Sequence, residues 1–111
     1  MSEPTTTTPA TSPGHLIAAN AEEAERFLRA LANRNRLMVL CSLVPGELSV
    51  SALQERVPLS QSALSQHLAV LRNQGLVETR REAQTIHYRI ADPRVRRLKP
   101  LLCEVLAGDT D

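Results

Sequence analysis

Ser60-Gln61-Ser62-Ala63-Leu64-Ser65-Gln66-His67-Leu68-Ala69-Val70-Leu71-Arg72-Asn73-Gln74 is the stretch on which the fold turns. At roughly 100° per residue, Leu68 and Leu71 fall within about 40° of Leu64, which predicts an amphipathic helix with a leucine inner face. Ser60 is placed to cap its start, and Gly75-Leu76 fits a glycine stop with its hydrophobic contact. The opposite face carries Ser62, Gln66, Ala69 and Asn73, with Ser65 and Val70 on its flanks. Small, uncharged side chains let a helix backbone approach base edges in the major groove, where Gln can pair with adenine through two hydrogen bonds. Gln61 and Ser62 lie near the N-terminus, whose free N–H groups favour phosphate. His67 falls near the edge of the buried face, where a packed histidine and a DNA contact are both open readings. An ordinary surface helix has the same pattern, so the neighbouring segments decide.

Upstream, Ser49 is placed to cap a short helix through Val57, and Pro58 stops it. The tight link Pro58-Leu59 then joins two helices, as in a helix-turn-helix. Two further helices precede this pair. One spans His15 to Ala32; the other starts at Asn33, runs to about Val44 and ends at Pro45-Gly46. Downstream the apolar period changes to two. Leu76–Arg81 and Thr85–Ile90 read as a hairpin turning at Glu82-Ala83-Gln84. Arg80, Arg81, Gln84 and Thr85 near its tip are placed for a minor groove or flanking phosphates. Arginines on an exposed hairpin also serve solubility alone. Asp92-Pro93 opens a last helix over Arg94–Leu106, which Pro100 should kink or break. The fold class is therefore mainly α with a small β-hairpin, a winged helix-turn-helix.

The 111 residues suffice for one domain, taken as residues 15–107 between a Thr- and Pro-rich tail at 1–14, expected to be disordered, and a flexible end at 108–111. Aromatics make up 2% of the chain, so the core must be aliphatic; so small a domain gains from self-association. No apolar run approaches the ~18–20 residues of a membrane span, and no signal peptide is visible, so a cytoplasmic protein is expected. Net charge is +1, but Arg72 to Lys99 holds eight basic residues against three acids. That run fits either a phosphate-facing patch or a solvated face.

The run Leu59 to Leu68, with Leu71-Arg72 and Gly75-Leu76-Val77, resembles the recognition helix of the ArsR family of regulators. Phe27 to Asn33 and Arg36-Leu37 resemble that family's first two helices, and Arg80 to Tyr88 its wing. The likeness covers roughly residues 18–106. It implies a symmetric homodimer, built from the first and last helices, that represses by binding palindromic double-stranded operator DNA and leaves it when an inducer reacts.

Several sensing sites occur in that family. Arsenic sensors carry Cys-Val-Cys where this chain has Ser49-Val50-Ser51, which offers no thiolate. Zinc sensors use four ligands on the last helix; Asp92 matches one, but Arg94, Val105 and Gly108 stand at the others. No metal and no cofactor is therefore expected. Cys41 and Cys103 remain, and they resemble the dithiol of the persulfide-sensing branch, the BigR, SqrR and HlyU-like proteins. The resemblance implies that reactive sulfur species, persulfide or sulfide, crosslink the two thiols as the inducing event. Read from the residues alone, two cysteines are more often core. A peroxide-driven thiol switch, a non-sensing anti-repressor and a winged helix used for protein contacts are the competing readings. An enzyme is not expected: there is no phosphate loop, metal cluster or nucleophile–base pair.

Overall fold

The computed structural model describes residue 15 and residues 18–108. The expected tail at 1–14 and the last three residues of the expected C-terminal end lie outside the described residues. The described elements are α1 (Ala21–Leu31), α2 (Arg34–Leu43), β1 (Leu48–Ser49), α3 (Val50–Arg56), α4 (Gln61–Asn73), β2 (Val77–Glu82), β3 (Thr85–Ile90) and α5 (Pro93–Ala107). This is a winged helix-turn-helix, as the periodicity predicted.

Local chemistry sets the boundaries. Asn33 caps α2, its side chain accepting from the backbone N–H groups of Asn35 and Arg36, each at 3.0 Å. Ser49 caps α3 by accepting from Ala52 N–H at 3.1 Å, and Ser60 caps α4 by accepting from Ala63 N–H at 3.2 Å. At the far end of α4, Gly75 takes φ +75°, Leu76 N–H donates to Leu71 C=O, and Gly75 N–H donates to Arg72 C=O. Those two bonds satisfy carbonyls that the helix leaves free and turn the chain into β2.

Leu64, Leu68 and Leu71 on the inner face of α4 are buried against Leu40 and Leu43 of α2 and Leu53 of α3, in a core that also takes in Leu76, Val77 and Ile90. The core is aliphatic throughout; Phe27 and Tyr88 only pack at its margin. On α2 the most buried residues are Val39, Leu40 and Leu43, while Leu37 and Cys41, with Val44 just past the helix end, line a crevice shared with α5.

Three sequence expectations change in detail. The first helix does not run unbroken from His15: a turn at Asn20 precedes Ala21–Leu31. The sheet has three strands, ordered β1-β3-β2, because Leu48 and Ser49 pair antiparallel with Tyr88 and His87. Glu82 belongs to β2, opposite Thr85, so the turn is the two residues Ala83-Gln84, with Ala83 at φ 57°.

Pro100 does not break the last helix, which continues from Pro93 to Ala107 around it. The missing N–H removes one bond, to the Arg96 carbonyl. Asp92 caps the helix by accepting from Arg94 N–H at 2.9 Å, and half-buried Leu98 and Leu102 hold it on either side of Pro100, whose own surface is exposed.

Candidate nucleic-acid interface

The caps and leucines of α4 fix its rotation, and with it the polar face. Gln61, Ser62, Ser65 and Gln66 are exposed, as is Ala69. His67 is half-buried. Between α4 and the wing runs an open cleft of about 560 Å³. Gln61, Ser65, Ala69, Arg72 and Asn73 line it from α4, and Gln84, Thr85 and Ile86 from the hairpin. Ser49 and Ser51, the residues at the expected arsenic-site position, line it beside α3.

The structure thus brings Gln61, Ser65, Gln84 and Thr85 to one concave surface. Ser62 and Gln66 lie on the outward face next to it. Arg72 and Asn73 line the cleft as well; the sequence reading put Asn73 on the polar face but singled out neither as a contact residue. The signal for Arg72 was available: Gln61, Ser65 and Arg72 recur at helical spacing on one flank, but Arg72 reads first as an ordinary charge in the last helical turn.

Charge pairing sorts the arginines. Arg80 donates to both Glu47, with Nε to Oε2 at 3.0 Å, and Glu82 at 3.5 Å. The hydrogen bond and charge of Arg80 hold the Glu47 carboxyl below its ordinary range. Arg89 donates to its cross-strand neighbour Glu78 at 2.6 Å. Arg94 pairs with Asp92 and Glu23 and stacks over the Phe27 ring, 4.3 Å from its centroid. Arg96 donates to the Val44 carbonyl. Arg72, Arg81, Arg97 and Lys99 make no ion pair with any described residue. The basic run from Arg72 to Lys99 is therefore not one patch: it is spread over α4, the wing and α5, and several of its charges are matched internally.

A second locus lies at the seam of α2 and α5. Cys41 is half-buried there and Cys103 is exposed; both are free thiols. Cys41 lines a nearly filled crevice, of about 10 Å³ free volume, with Leu37, Val44, Leu98, Lys99 and Leu102. Burial pushes its thiol above the ordinary value of 9.0, while Lys99 pulls it down and the nearby Cys103 adds a smaller push up. Among the described residues no group of three His, Cys, Asp or Glu side chains is placed to hold a metal ion. No described helix is long and apolar enough to cross a membrane.

An apolar stripe is left uncovered on the terminal helices: Leu28 of α1 is 58% exposed, and Leu101, Val105 and Leu106 of α5 are 54%, 67% and 80% exposed. Large aliphatics at such exposure along one helix point to a protein contact.

The sequence profile of the bacterial regulatory protein, arsR family, matches residues 33–79. The chain is 51% identical over 92 residues to nodulation protein NolR of Rhizobium meliloti, spanning 83% of this chain and 75% of that one. Its fold superposes on the transcriptional repressor BigR from Xylella fastidiosa with TM-score 0.83 at 35% identity, covering 88% of this chain and all of the other. It also superposes on a homodimeric winged helix-turn-helix DNA-binding domain from Mycobacterium bovis, a possible ArsR-family regulator, with TM-score 0.70 at 39% identity, covering 81% and 82%. With a polar helix face beside an open cleft, a three-stranded wing and relatives at this identity over most of its length, the chain belongs to the ArsR family of DNA-binding transcriptional regulators.

Proposed function

We propose that the chain is a homodimeric repressor that binds palindromic operator DNA and releases it when reactive sulfur species crosslink Cys41 to Cys103. The DNA-binding unit is residues 15–107, and it works in the cytoplasm, where both thiols are kept reduced. The observation that carries the DNA reading is the exposed, uncharged face of α4 bordering the cleft. Gln61, Ser62, Ser65 and Gln66 enter the major groove, with His67 at its edge; Arg81, Gln84 and Thr85 meet the flanking backbone, and Arg80 is available there only by leaving Glu47. The uncovered stripe of Leu28, Leu101, Val105 and Leu106 is what a second copy covers, which places two α4 helices on one DNA face.

The release chemistry follows from accessibility. The exposed Cys103 thiolate attacks the outer sulfur of a persulfide R–S–S–H. The S–S bond of the persulfide breaks, RS⁻ leaves and Cys103–S–SH forms. The Cys41 thiolate then attacks the Cys103 sulfur, the S–SH bond breaks, and HS⁻ leaves a Cys41–Cys103 disulfide. The two cysteines lose two electrons and the sulfane sulfur gains them. A further sulfane sulfur retained between the thiols gives a longer bridge. Either link ties α2 to α5 and so couples the dimer seam to the reading helices.

Two measurements test this. Salt-dependent binding of the reduced protein to DNA from its own promoter region is expected, and its absence at low salt leaves a protein-contact module instead. Intact mass spectrometry after glutathione persulfide, with hydrogen peroxide in parallel, is expected to show a sulfur-containing or disulfide crosslink with persulfide alone. A plain disulfide with both reagents means a general peroxide-type switch. No crosslink with either leaves a non-sensing regulator or anti-repressor whose two cysteines carry no switch.

A further inference from the structure

We propose that Lys99 is the positioning residue of the thiol pair: across the shared crevice its ammonium favours the ionised form of Cys41 as that thiol closes the crosslink. This rests on the thiol-switch reading above. Lys99 and Cys41 line the same crevice from opposite sides, one on α5 and one on α2. Lys99 is half-buried, yet no described carboxylate pairs with it. Its stem lies among Val95, Leu98 and Leu102, which share the crevice. On α5 it precedes Cys103 by four residues, so the ammonium and that cysteine lie on one face, a turn apart.

The surroundings leave Lys99 no other ionic task in the crevice. From α1 the lining residue is Leu31; from α2 they are Leu37 and Leu40 beside Cys41, with Val44 just past the helix end. Arg96, also on α5, is engaged by the Val44 carbonyl. Among the described residues, the charged or titratable groups acting on Cys41 are thus Lys99 and Cys103, both on α5. A half-buried thiol with aliphatic walls resists ionisation. The second step of crosslinking nevertheless needs it ionised, because the thiolate is the nucleophile. Lys99 opposes the burial at that point. As the Cys41–Cys103 bond forms, the negative charge passes from Cys41 to the departing HS⁻, which leaves from beside the same ammonium. A lysine whose stem packs and whose head merely reaches water would not alter Cys41 in this way.

The test follows alkylation of Cys41 by iodoacetamide against pH in the C103S protein, comparing Lys99 with K99M, K99Q and K99R. For K99M and K99Q the midpoint is expected to move up, with alkylation near neutral pH falling several-fold as the thiolate fraction drops. K99R is expected to keep most of the parent profile. In the two-cysteine protein given glutathione persulfide, K99M is expected to accumulate the one-sulfur adduct on Cys103 while the crosslink closes several-fold more slowly. Circular dichroism shows which variants are folded, and K99Q against K99R decides the matter should K99M not fold. Superposable alkylation profiles for the charged and neutral variants would overturn the role of Lys99. Should the parent protein form neither adduct nor crosslink, the reactive-sulfur reading falls, and the alkylation profile still decides whether Lys99 governs Cys41.

Discussion

Arg80 on the wing is bound to Glu47, 33 residues earlier, through its Nε at 3.0 Å from the carboxylate, while its neighbour Arg81 makes no ion pair with a described residue. The two adjacent arginines are therefore unequal. Replacing Arg81 with Ala is expected to weaken DNA binding evenly across sequences and to lower the salt slope by about one. Arg80→Ala is expected to do less, since that charge is already matched. Glu47→Gln frees Arg80 and is expected to tighten binding at low salt. Fluorescence anisotropy across a salt series checks all three; equal losses for R80A and R81A would show that the ion pair opens on DNA.

Gln66 lies on the outward face of α4, exposed and away from the core. Gln66→Ala is expected to leave the folding midpoint nearly unchanged. It should cost about 1–3 kcal/mol of discrimination at one operator position, the worth of a good bidentate base contact. Binding to a set of single-base operator variants reads this out. A uniform loss over all variants would reassign Gln66 to the backbone.

Leu64 is fully buried, whereas Val105 and Leu106 lie open on α5. Leu64→Ala is expected to cost about 2–5 kcal/mol of stability. Val105→Asp with Leu106→Asp is expected to leave the protomer folded and shift sedimentation from dimer to monomer, with operator affinity falling in step. Unchanged sedimentation would place the dimer seam elsewhere.

Asp92 caps α5 and also accepts from the Arg94 guanidinium at 2.6 Å, and that side-chain hydrogen bond, before the backbone one, holds its carboxyl below the ordinary value of 3.8. A carboxylate with a lowered value contributes stability that is present above its ordinary value and disappears as pH falls through the lowered one. Asn caps a helix about as well as Asp, so Asp92→Asn isolates the charge. The parent's advantage over this variant is expected at neutral pH and should close as pH falls below the ordinary value. Urea midpoints at stepped pH values test it; a gap constant with pH would mean that the charge contributes nothing.

Ala83 holds φ 57° at the wing tip, a conformation that costs a residue with a Cβ roughly 1 kcal/mol. Ala83→Gly is expected to raise stability by about 0.5–1 kcal/mol, the gain being reduced by glycine's greater freedom in the unfolded chain. A lower thermal midpoint for the variant would show that this freedom dominates.

Local signals in the chain were enough to set out the helix order and the hairpin. Leu64, Leu68 and Leu71 recur at helical spacing, Ser60 and Gly75 carry local cap chemistry, and Ile86, Tyr88 and Ile90 alternate; these signals act within a few residues and need no distant partner. They therefore also fixed which side of α4 is polar. Tertiary structure alone decided the rest, because the deciding contacts join residues far apart in the chain. β1 is two residues long, too short to alternate, and exists because Tyr88 and His87 lie beside it. Glu47 neutralises Arg80 although nothing in the run of wing arginines names it. Pro100 stays within a helix because Leu98 and Leu102 hold both its sides, where local propensity alone predicts a break. The neighbourhood of Cys41 follows the same rule: its half-burial and the lysine across the crevice come from packing α5 against α2, since a thiol's reactivity depends on charges in space rather than on its neighbours in sequence.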